Sequence, residues 1–245
     1  NFYGMITNID ENIGRLEEML EKNGLKENTI LVFMTDNGTS AGADLNQERF
    51  VEKGFNAGMR GKKGSPYEGG HRVPLFVRWS GNKLTVSRDI NTLTAYTDLL
   101  PTLLDLCGLS IPEEAEFHGK SLKPLLAEDN PDWPERTLIT DTQREENLIK
   151  GKAASVMTDR WRLVFDDELY DIQNDPGQTK NVAENHPEVV AQLQQDYERW
   201  WQEVSQGADE YPRITVGSES ENPVGLTCHD FHTTEPGYPA WNQRM

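Results

Sequence analysis

Thr29-Ile30-Leu31-Val32-Phe33-Met34-Thr35-Asp36-Asn37-Gly38 is the stretch on which the fold turns. Its first six residues form a short apolar run rich in branched side chains, bounded by Asn28 before and a polar turn after. That pattern predicts a strand buried on both faces. Ahead of it, Ile6, Ile9, Ile13, Leu16 and Leu20 step by three and four, with Asp10, Glu11, Arg15, Glu18 and Lys22 opposite. The spacing predicts an amphipathic helix over 3–22, stopped at Gly24. A helix feeding a buried strand is the pattern of an α/β domain, where ligands gather beyond the carboxyl ends of strands. Asp36 and Asn37 fall at such an end.

Downstream, residues 38–72 hold eight glycines and few aliphatics, which predicts a long functional loop. Val73-Pro74-Leu75-Phe76-Val77-Arg78-Trp79 predicts a second strand, with Pro74 near its start. Over 97–107, Leu99, Leu100, Leu103, Leu104 and Cys107 share one side of a helix that Gly108 closes. Pro101 is tolerated there only in the first turn. The segment 110–136, rich in Pro and Glu, reads as a connector. Beyond it, 138–140, 153–157, 161–165 and 168–170 predict a small antiparallel sheet, with Thr158-Asp159-Arg160 as a turn. Pro187 opens a helix to about Ser205, with Val190, Leu193, Tyr197, Trp200 and Val204 on one face. Trp200 and Trp201 read as packing at helical spacing. The expected organisation is a larger α/β unit over 1–126, a small α+β subdomain over 127–205 and an irregular tail over 206–245.

The 245 residues carry a formal charge of −17. Such a surface argues against nucleic acid or an anionic membrane as partner. Apolar residues make up 36%, enough for a core, yet no apolar run approaches the ~20 residues that cross a bilayer. Two cysteines, Cys107 and Cys228, exclude a disulfide-dense scaffold and a Cys-rich zinc site. No basic and apolar leader opens the chain at Asn1, as expected after processing or for a start inside a longer polypeptide.

Two segments could carry chemistry. In Thr35-Asp36-Asn37-Gly38, a carboxylate and an amide oxygen side by side are hard ligands suited to Ca²⁺ or Mg²⁺. Asp-Asn-Gly is also ordinary turn chemistry. Two residues could never complete a Ca²⁺ site, which wants about 6–8 oxygens. In Arg60-Gly61-Lys62-Lys63-Gly64-Ser65-Pro66-Tyr67-Glu68-Gly69-Gly70-His71-Arg72-Val73-Pro74, glycines flank two lysines and admit a small anion. A lysine there acts as a point charge for an oxyanion. The bland alternative is a solvated basic loop. The Cys228-His229-Asp230-Phe231-His232 cluster could bind a metal, although an ordinary turn explains it as well.

Taken together, the segments resemble the sulfatase family. Asp36-Asn37-Gly38 follows a strand, Gly61-Lys62-Lys63-Gly64 with Tyr67-Glu68-Gly69-Gly70 comes some twenty-five residues on, and Arg72-Val73-Pro74 enters the next strand. Asn8–Gly14, Asp98–Asp105, Gly119-Lys120-Ser121-Leu122 and Glu168–Pro176 resemble the family's surrounding segments, so the likeness covers about 2–205. The resemblance implies an alkaline-phosphatase-like α/β fold and hydrolysis of sulfate esters, of a small molecule or a glycan, by a formylglycine nucleophile. It implies Asp36 and Asn37 as metal ligands, usually for Ca²⁺, and Lys63 as the lysine that contacts the sulfate. Lys63 is preferred to Lys62 because it directly precedes Gly64. His71, after Gly69-Gly70, is a further substrate-contact candidate. The family is usually exported, which implies a periplasmic or secreted protein.

The departures are as informative. The Cys/Ser-x-Pro-Ser-Arg motif that yields formylglycine is absent, as are the family's early Asp-Asp pair and Lys-x-His motif. The chain therefore reads as the C-terminal portion of a sulfatase, inactive alone and weak for Ca²⁺, with the N-terminal portion as partner. A phosphoesterase of the same superfamily is the nearest alternative, although such enzymes tend to carry Asp-His-Gly where this chain has Asp36-Asn37-Gly38. A non-catalytic sulfatase-like binding protein is the alternative from another class. A strand at 29–34 without neighbours would leave a bare edge and invite self-association.

Overall fold

The computed structural model describes residues 2–81, 84, 87–110, 114–128, 131–143, 148–165, 167–206 and 223. The expected tail beyond 206, with Cys228, His229, Asp230 and His232, otherwise lies outside them. Helix α1 spans Phe2–Lys22. It ends as the sequence predicts: Gly24 takes φ +67°, and Leu25 N–H reaches back to Leu20 O at 2.8 Å. This left-handed exit satisfies carbonyls that the last turn would leave bare.

Strand β1, Ile30–Met34, follows and pairs antiparallel with β4, Leu75–Trp79, in the register Ile30↔Trp79 to Met34↔Leu75. β4 begins one residue after Pro74, whose missing N–H suits the start of a strand. The expectation of a strand buried on both faces is corrected. β1 is half-buried, Phe33 is exposed, and Phe76 opposite it is 63% exposed with the ring centroids 6.1 Å apart. Among the described residues this sheet has only two strands, so little covers it. Ile6, Ile9 and Met19 of α1 are exposed as well. Apolar area left in water favours association at roughly 25 cal/mol per Å² covered. Self-association of this chain at micromolar concentration is the expected result, and a constant monomer mass by light scattering across that range would contradict it.

The region 38–72 is not one loop, which corrects the second expectation. It holds a hairpin of β2, Ala43–Leu45, and β3, Val51–Gly54, and a four-residue helix α2, Glu68–His71. Short strands with one or two aliphatics each carry too weak an alternation to be legible. Helix α3, Leu99–Leu106, follows a single 3-10 turn at Tyr96–Asp98 and keeps Pro101 in its first turn. Its leucine face, however, looks outward: Leu100 is 54% exposed, while Asp98, Pro101 and Thr102 are the buried positions. Within the connector, α4 spans Lys123–Ala127.

The predicted small sheet is present as an antiparallel meander: β5, Leu138–Asp141; β6, Ala154–Met157; β7, Trp161–Val164; β8, Glu168–Asp171. Strand alternation divides its side chains. Ala154, Val156, Leu163 and Leu169 face α5, Pro187–Val204, and meet Leu193 and Tyr197 in the main core, with Trp200 and Trp201 packed at its margin. Val164 and Tyr170 point the other way, to Tyr67 just before α2. The sheet is thus buried on both faces, between α5 and the glycine-rich segment.

Candidate active site

The carboxyl end of β1 delivers Thr35-Asp36-Asn37-Gly38 to the surface. The Tyr96 hydroxyl holds this turn, lying 2.8 Å from Thr35 O and 2.7 Å from Asp36 O. Asp36 presents an exposed carboxylate. Asn37 donates its Nδ2–H to Gly38 O at 2.8 Å, which leaves its amide oxygen for another partner. A carboxylate and an amide oxygen on adjacent residues form the donor chemistry of a hard cation, although two oxygens fill a minor part of a Ca²⁺ shell. Among the described residues, no group of three or more His, Cys, Asp or Glu could hold a metal ion.

Two backbone bonds bring the lysine loop to this turn. Lys63 N–H donates to Thr39 O at 2.9 Å, and Gly38 N–H donates to Gly70 O at 3.0 Å. The glycines make this approach possible. A Cβ on Gly38 would lie 1.8 Å from Gly69 O, and one on Gly70 would lie 1.9 Å from Ser65 O. No non-bonded pair tolerates such distances, so a side chain at either position must push the loops apart. Gly70→Ala is expected to destabilise the protein by about 1–3 kcal/mol and to expose the 60–71 segment. Urea denaturation with limited proteolysis would read both effects, and an unchanged midpoint would refute the close-approach argument.

The two lysines differ. Lys62 Nζ is anchored 3.3 Å from Ala43 O, whereas Lys63 is exposed and its ammonium has no ion pair or hydrogen bond among the described residues. His71 is half-buried, with Nε2 3.1 Å from Pro66 O. A carbonyl only accepts, so Nε2 carries the proton and Nδ1 is the free face of the ring. Burial pushes the His71 pKa down and Arg162 adds to this, against the pull of Glu68 and of the Pro66 bond. His71 is therefore neutral at pH 7.

Sequence reasoning missed the groups that hold the loop in place. Arg60 Nη1 donates to the Tyr170 hydroxyl at 2.7 Å, and its guanidinium lies 4.2 Å from the Tyr67 ring centroid. Tyr67 and Tyr170 both donate to Glu168 Oε2 at 2.6 Å. Burial and Glu168 push the Tyr67 hydroxyl up to about 12, so it remains a donor at any ordinary pH. Beside them, buried Glu68 accepts from Arg162 Nε at 2.6 Å, and its N–H donates to Gln178 Oε1 at 2.7 Å. Tyr67 and Glu68 thus fasten the lysine loop to β7 and β8. The signal that could have found them is the alternation on β8, where Glu168 and Tyr170 share one face.

A cleft of about 530 Å³ opens over this loop. Ser40, Lys62, Lys63 and Gly64 form one wall, and Thr142, Gln143 and Lys152, from the connection between β5 and β6, form the other.

Solved structures share this architecture. A crystal structure titled "Ps i-CgsB in complex with k-i-k-neocarrahexaose" superimposes with a TM-score of 0.64 at 25% identity, over 80% of this chain and 42% of that one. The putative sulfatase yidJ from Bacteroides fragilis gives 0.60 over 87% of this chain, at 22% identity. The fold is therefore the alkaline-phosphatase-like α/β fold of sulfatases, as the resemblance implied. The sulfatase family model matches residues 1–109, and the model of the N-sulphoglucosamine sulphohydrolase C-terminal region matches 62–203. The chain belongs to the sulfatase family. It is 31% identical over 201 residues to an arylsulfatase of Clostridium perfringens, covering 78% of this chain and 37% of that protein. It is 29% identical over 206 residues to an N-acetylgalactosamine-6-O-sulfatase of Bacteroides thetaiotaomicron, covering 77% and 39%. The chain thus spans less than half the length of these relatives. No helix is long and apolar enough to cross a membrane among the described residues.

Proposed function

We propose that this chain is the metal- and sulfate-contacting part of a sulfuric ester hydrolase whose formylglycine nucleophile lies outside these 245 residues. The observation that carries the reading is the Lys63–Thr39 backbone bond, which brings Lys63, exposed and with no side-chain partner among the described residues, to the loop that follows the Asp36-Asn37 turn. In this reading Asp36 and Asn37 supply two oxygen ligands to one Ca²⁺, which when bound withdraws charge from a sulfate oxygen. Lys63 binds the sulfate and donates an N–H toward the ester oxygen that leaves. Its fixed charge stabilises the negative charge that builds there, without changing its own protonation. Neutral His71 could meet substrate through Nδ1. Residues 1–126 then belong to the catalytic domain and 127–205 to the C-terminal subdomain, with the N-terminal portion as partner. The substrate is a sulfated small molecule or glycan, and the site of action is the periplasm or the medium, on the strength of the family alone.

The test offers an aryl sulfate and an aryl phosphate, with Ca²⁺, to the full-length protein and to the 245 residues alone. Sulfate turnover by the former and none by the latter is expected. Phosphate turnover alone would move the protein to the phosphoesterase branch, and silence on both would favour the binding-protein alternative. Robust turnover by the 245 residues alone would overturn the placement of the nucleophile.

A further inference from the structure

Along an extended strand successive carbonyls alternate in direction. At the end of β1 they do not: Thr35 O and Asp36 O both converge on the Tyr96 hydroxyl, at 2.8 and 2.7 Å. Carbonyls only accept, and a phenol carries one proton. The two carbonyls therefore share that proton, which offsets the repulsion between two dipoles turned the same way. Thr35 O belongs to the peptide before the Asp36 Cα, and Asp36 O to the peptide after it. Pinning both planes holds the φ and ψ of Asp36, its only soft backbone dihedrals, and with them the direction in which its side chain leaves the chain. Asn37 is set locally instead, by the bond from its Nδ2–H to Gly38 O at 2.8 Å. Among the described residues no hydrogen bond or ion pair holds the Asp36 carboxylate itself, so its orientation depends on the backbone.

The tyrosine lies 60 positions from Asp36 along the chain and reaches it from a firm base. Two residues on, fully buried Asp98 accepts from Ala95 N–H at 2.7 Å, from Lys120 N–H at 2.9 Å and from Arg136 Nη1 at 2.7 Å. Gly119 packs against the same turn so closely that a Cβ on it would lie 1.9 Å from Thr97 O. Tyr96 itself is 47% exposed. An exposed hydroxyl exchanges bonds with water for bonds with the protein, so its contacts add little to stability. What they do add is direction, because the base that carries the hydroxyl is rigid.

We propose that Tyr96 is a positioning residue for the metal: its hydroxyl holds the Asp36 backbone in the conformation from which the carboxylate ligates Ca²⁺, and so sets the affinity of the site. The inference rests on the reading of Asp36 and Asn37 as Ca²⁺ ligands and deepens it. Tyr96 acts through Asp36 and touches no reacting atom. Without the hydroxyl the two carbonyls are free to turn apart, and Asp36 must be ordered when the ion binds. That ordering cost appears as lost affinity.

The test uses the full-length protein, stripped of metal by a chelator, with its Asp36→Ala and Tyr96→Phe variants. Three quantities are measured for each: Ca²⁺ affinity by calorimetry, the Ca²⁺ dependence of kcat and KM on an aryl sulfate, and the urea midpoint of the metal-free protein. Asp36→Ala should abolish Ca²⁺ binding. Tyr96→Phe should bind Ca²⁺ about tenfold more weakly, the usual loss when a group that orients a ligand is removed, with the metal-free midpoint close to that of the wild type. Its kcat should recover at saturating Ca²⁺ with KM unchanged, which a merely distorted fold would not allow. Binding lost in Asp36→Ala but within about twofold of the wild type in Tyr96→Phe overturns the role of Tyr96 and leaves the metal reading standing. Ca²⁺ binding indifferent to Asp36→Ala overturns the metal reading, and the role of Tyr96 with it. A Tyr96→Phe protein whose metal-free midpoint drops, and whose kcat stays low at saturating Ca²⁺, makes Tyr96 structural and overturns the proposal. The calorimetric arm needs no turnover, so it decides the matter even where the aryl sulfate is not a substrate.

Discussion

Sulfate-ester turnover by the full-length protein should fall about 100- to 1,000-fold in Lys63→Ala, the usual cost of removing one preorganised donor from a site of developing charge. Lys63 is exposed and its ammonium pairs with no acidic group among the described residues, which leaves its charge for a ligand. The loss should fall on kcat more than on KM, because the leaving oxygen acquires its charge only as the ester bond breaks. Lys63→Arg should recover little, since a planar guanidinium cannot reproduce a compact point charge at the same spot. Fold damage would not confound the result: the loop is held through the Lys63 backbone and through Tyr67 and Glu68, none of which the substitution removes. Steady-state kinetics on an aryl sulfate decide the matter. A Lys63→Ala enzyme within fivefold of the wild type would remove Lys63 from the reaction, and Lys62→Ala would then be the next variant to measure.

The second large effect concerns stability. Asp98 is fully buried at the start of α3 and accepts four hydrogen bonds: from Ala95 N–H at 2.7 Å, from Lys120 N–H at 2.9 Å, and from both terminal nitrogens of Arg136 at 2.7 and 2.5 Å. Arg136 also donates to Leu93 O at 2.8 Å. The pair fastens the strand-leading residue 136 to the 3-10 turn that carries Tyr96, and so to the Asp36-Asn37 turn. Arg136→Ala would leave a buried carboxylate without its counter-charge, which costs about 3–5 kcal/mol. Against a typical total of about 5–15 kcal/mol, that is enough to unfold much of the protein.

The pH dependence gives a second readout. Burial alone would raise the Asp98 pKa, but the Arg136 bonds and the two amide bonds outweigh it and hold the carboxyl below its ordinary value. A depressed folded pKa means that the unfolded chain binds the proton more readily. The stability it contributes is therefore complete above about pH 4 and is lost as pH falls through the folded value. In Arg136→Ala the burial effect prevails and the sign reverses, so the deficit should shrink on acidification toward pH 5. Urea midpoints at pH 7.5 and 5.0 measure both. A deficit under 1 kcal/mol, or one that grows on acidification, would show that Asp98 is not held as its geometry requires.

The comparison of chain and structure divides along the range of the forces involved. The helices at Phe2–Lys22 and Pro187–Val204 and the four strands of the meander were legible, because apolar spacing within one element carries its period. The turn at Asp36-Asn37-Gly38, the lysine loop and their juxtaposition through a family likeness were legible for the same local reason. The hairpin Ala43–Gly54 was not, since its strands are too short to carry a period. Nor could any pattern show that Tyr67 and Glu68 meet Glu168, Tyr170 and Arg162, about a hundred residues away. The sequence alone determined the longer elements, the two candidate segments and the family, all of which depend on neighbours along the chain. Only the tertiary structure decided which faces are covered, that Lys62 is anchored while Lys63 is not, and that Lys152 shares their cleft. Coverage, hydrogen-bond partners and charge proximity are properties of groups brought together in space, and separation along the chain does not encode them.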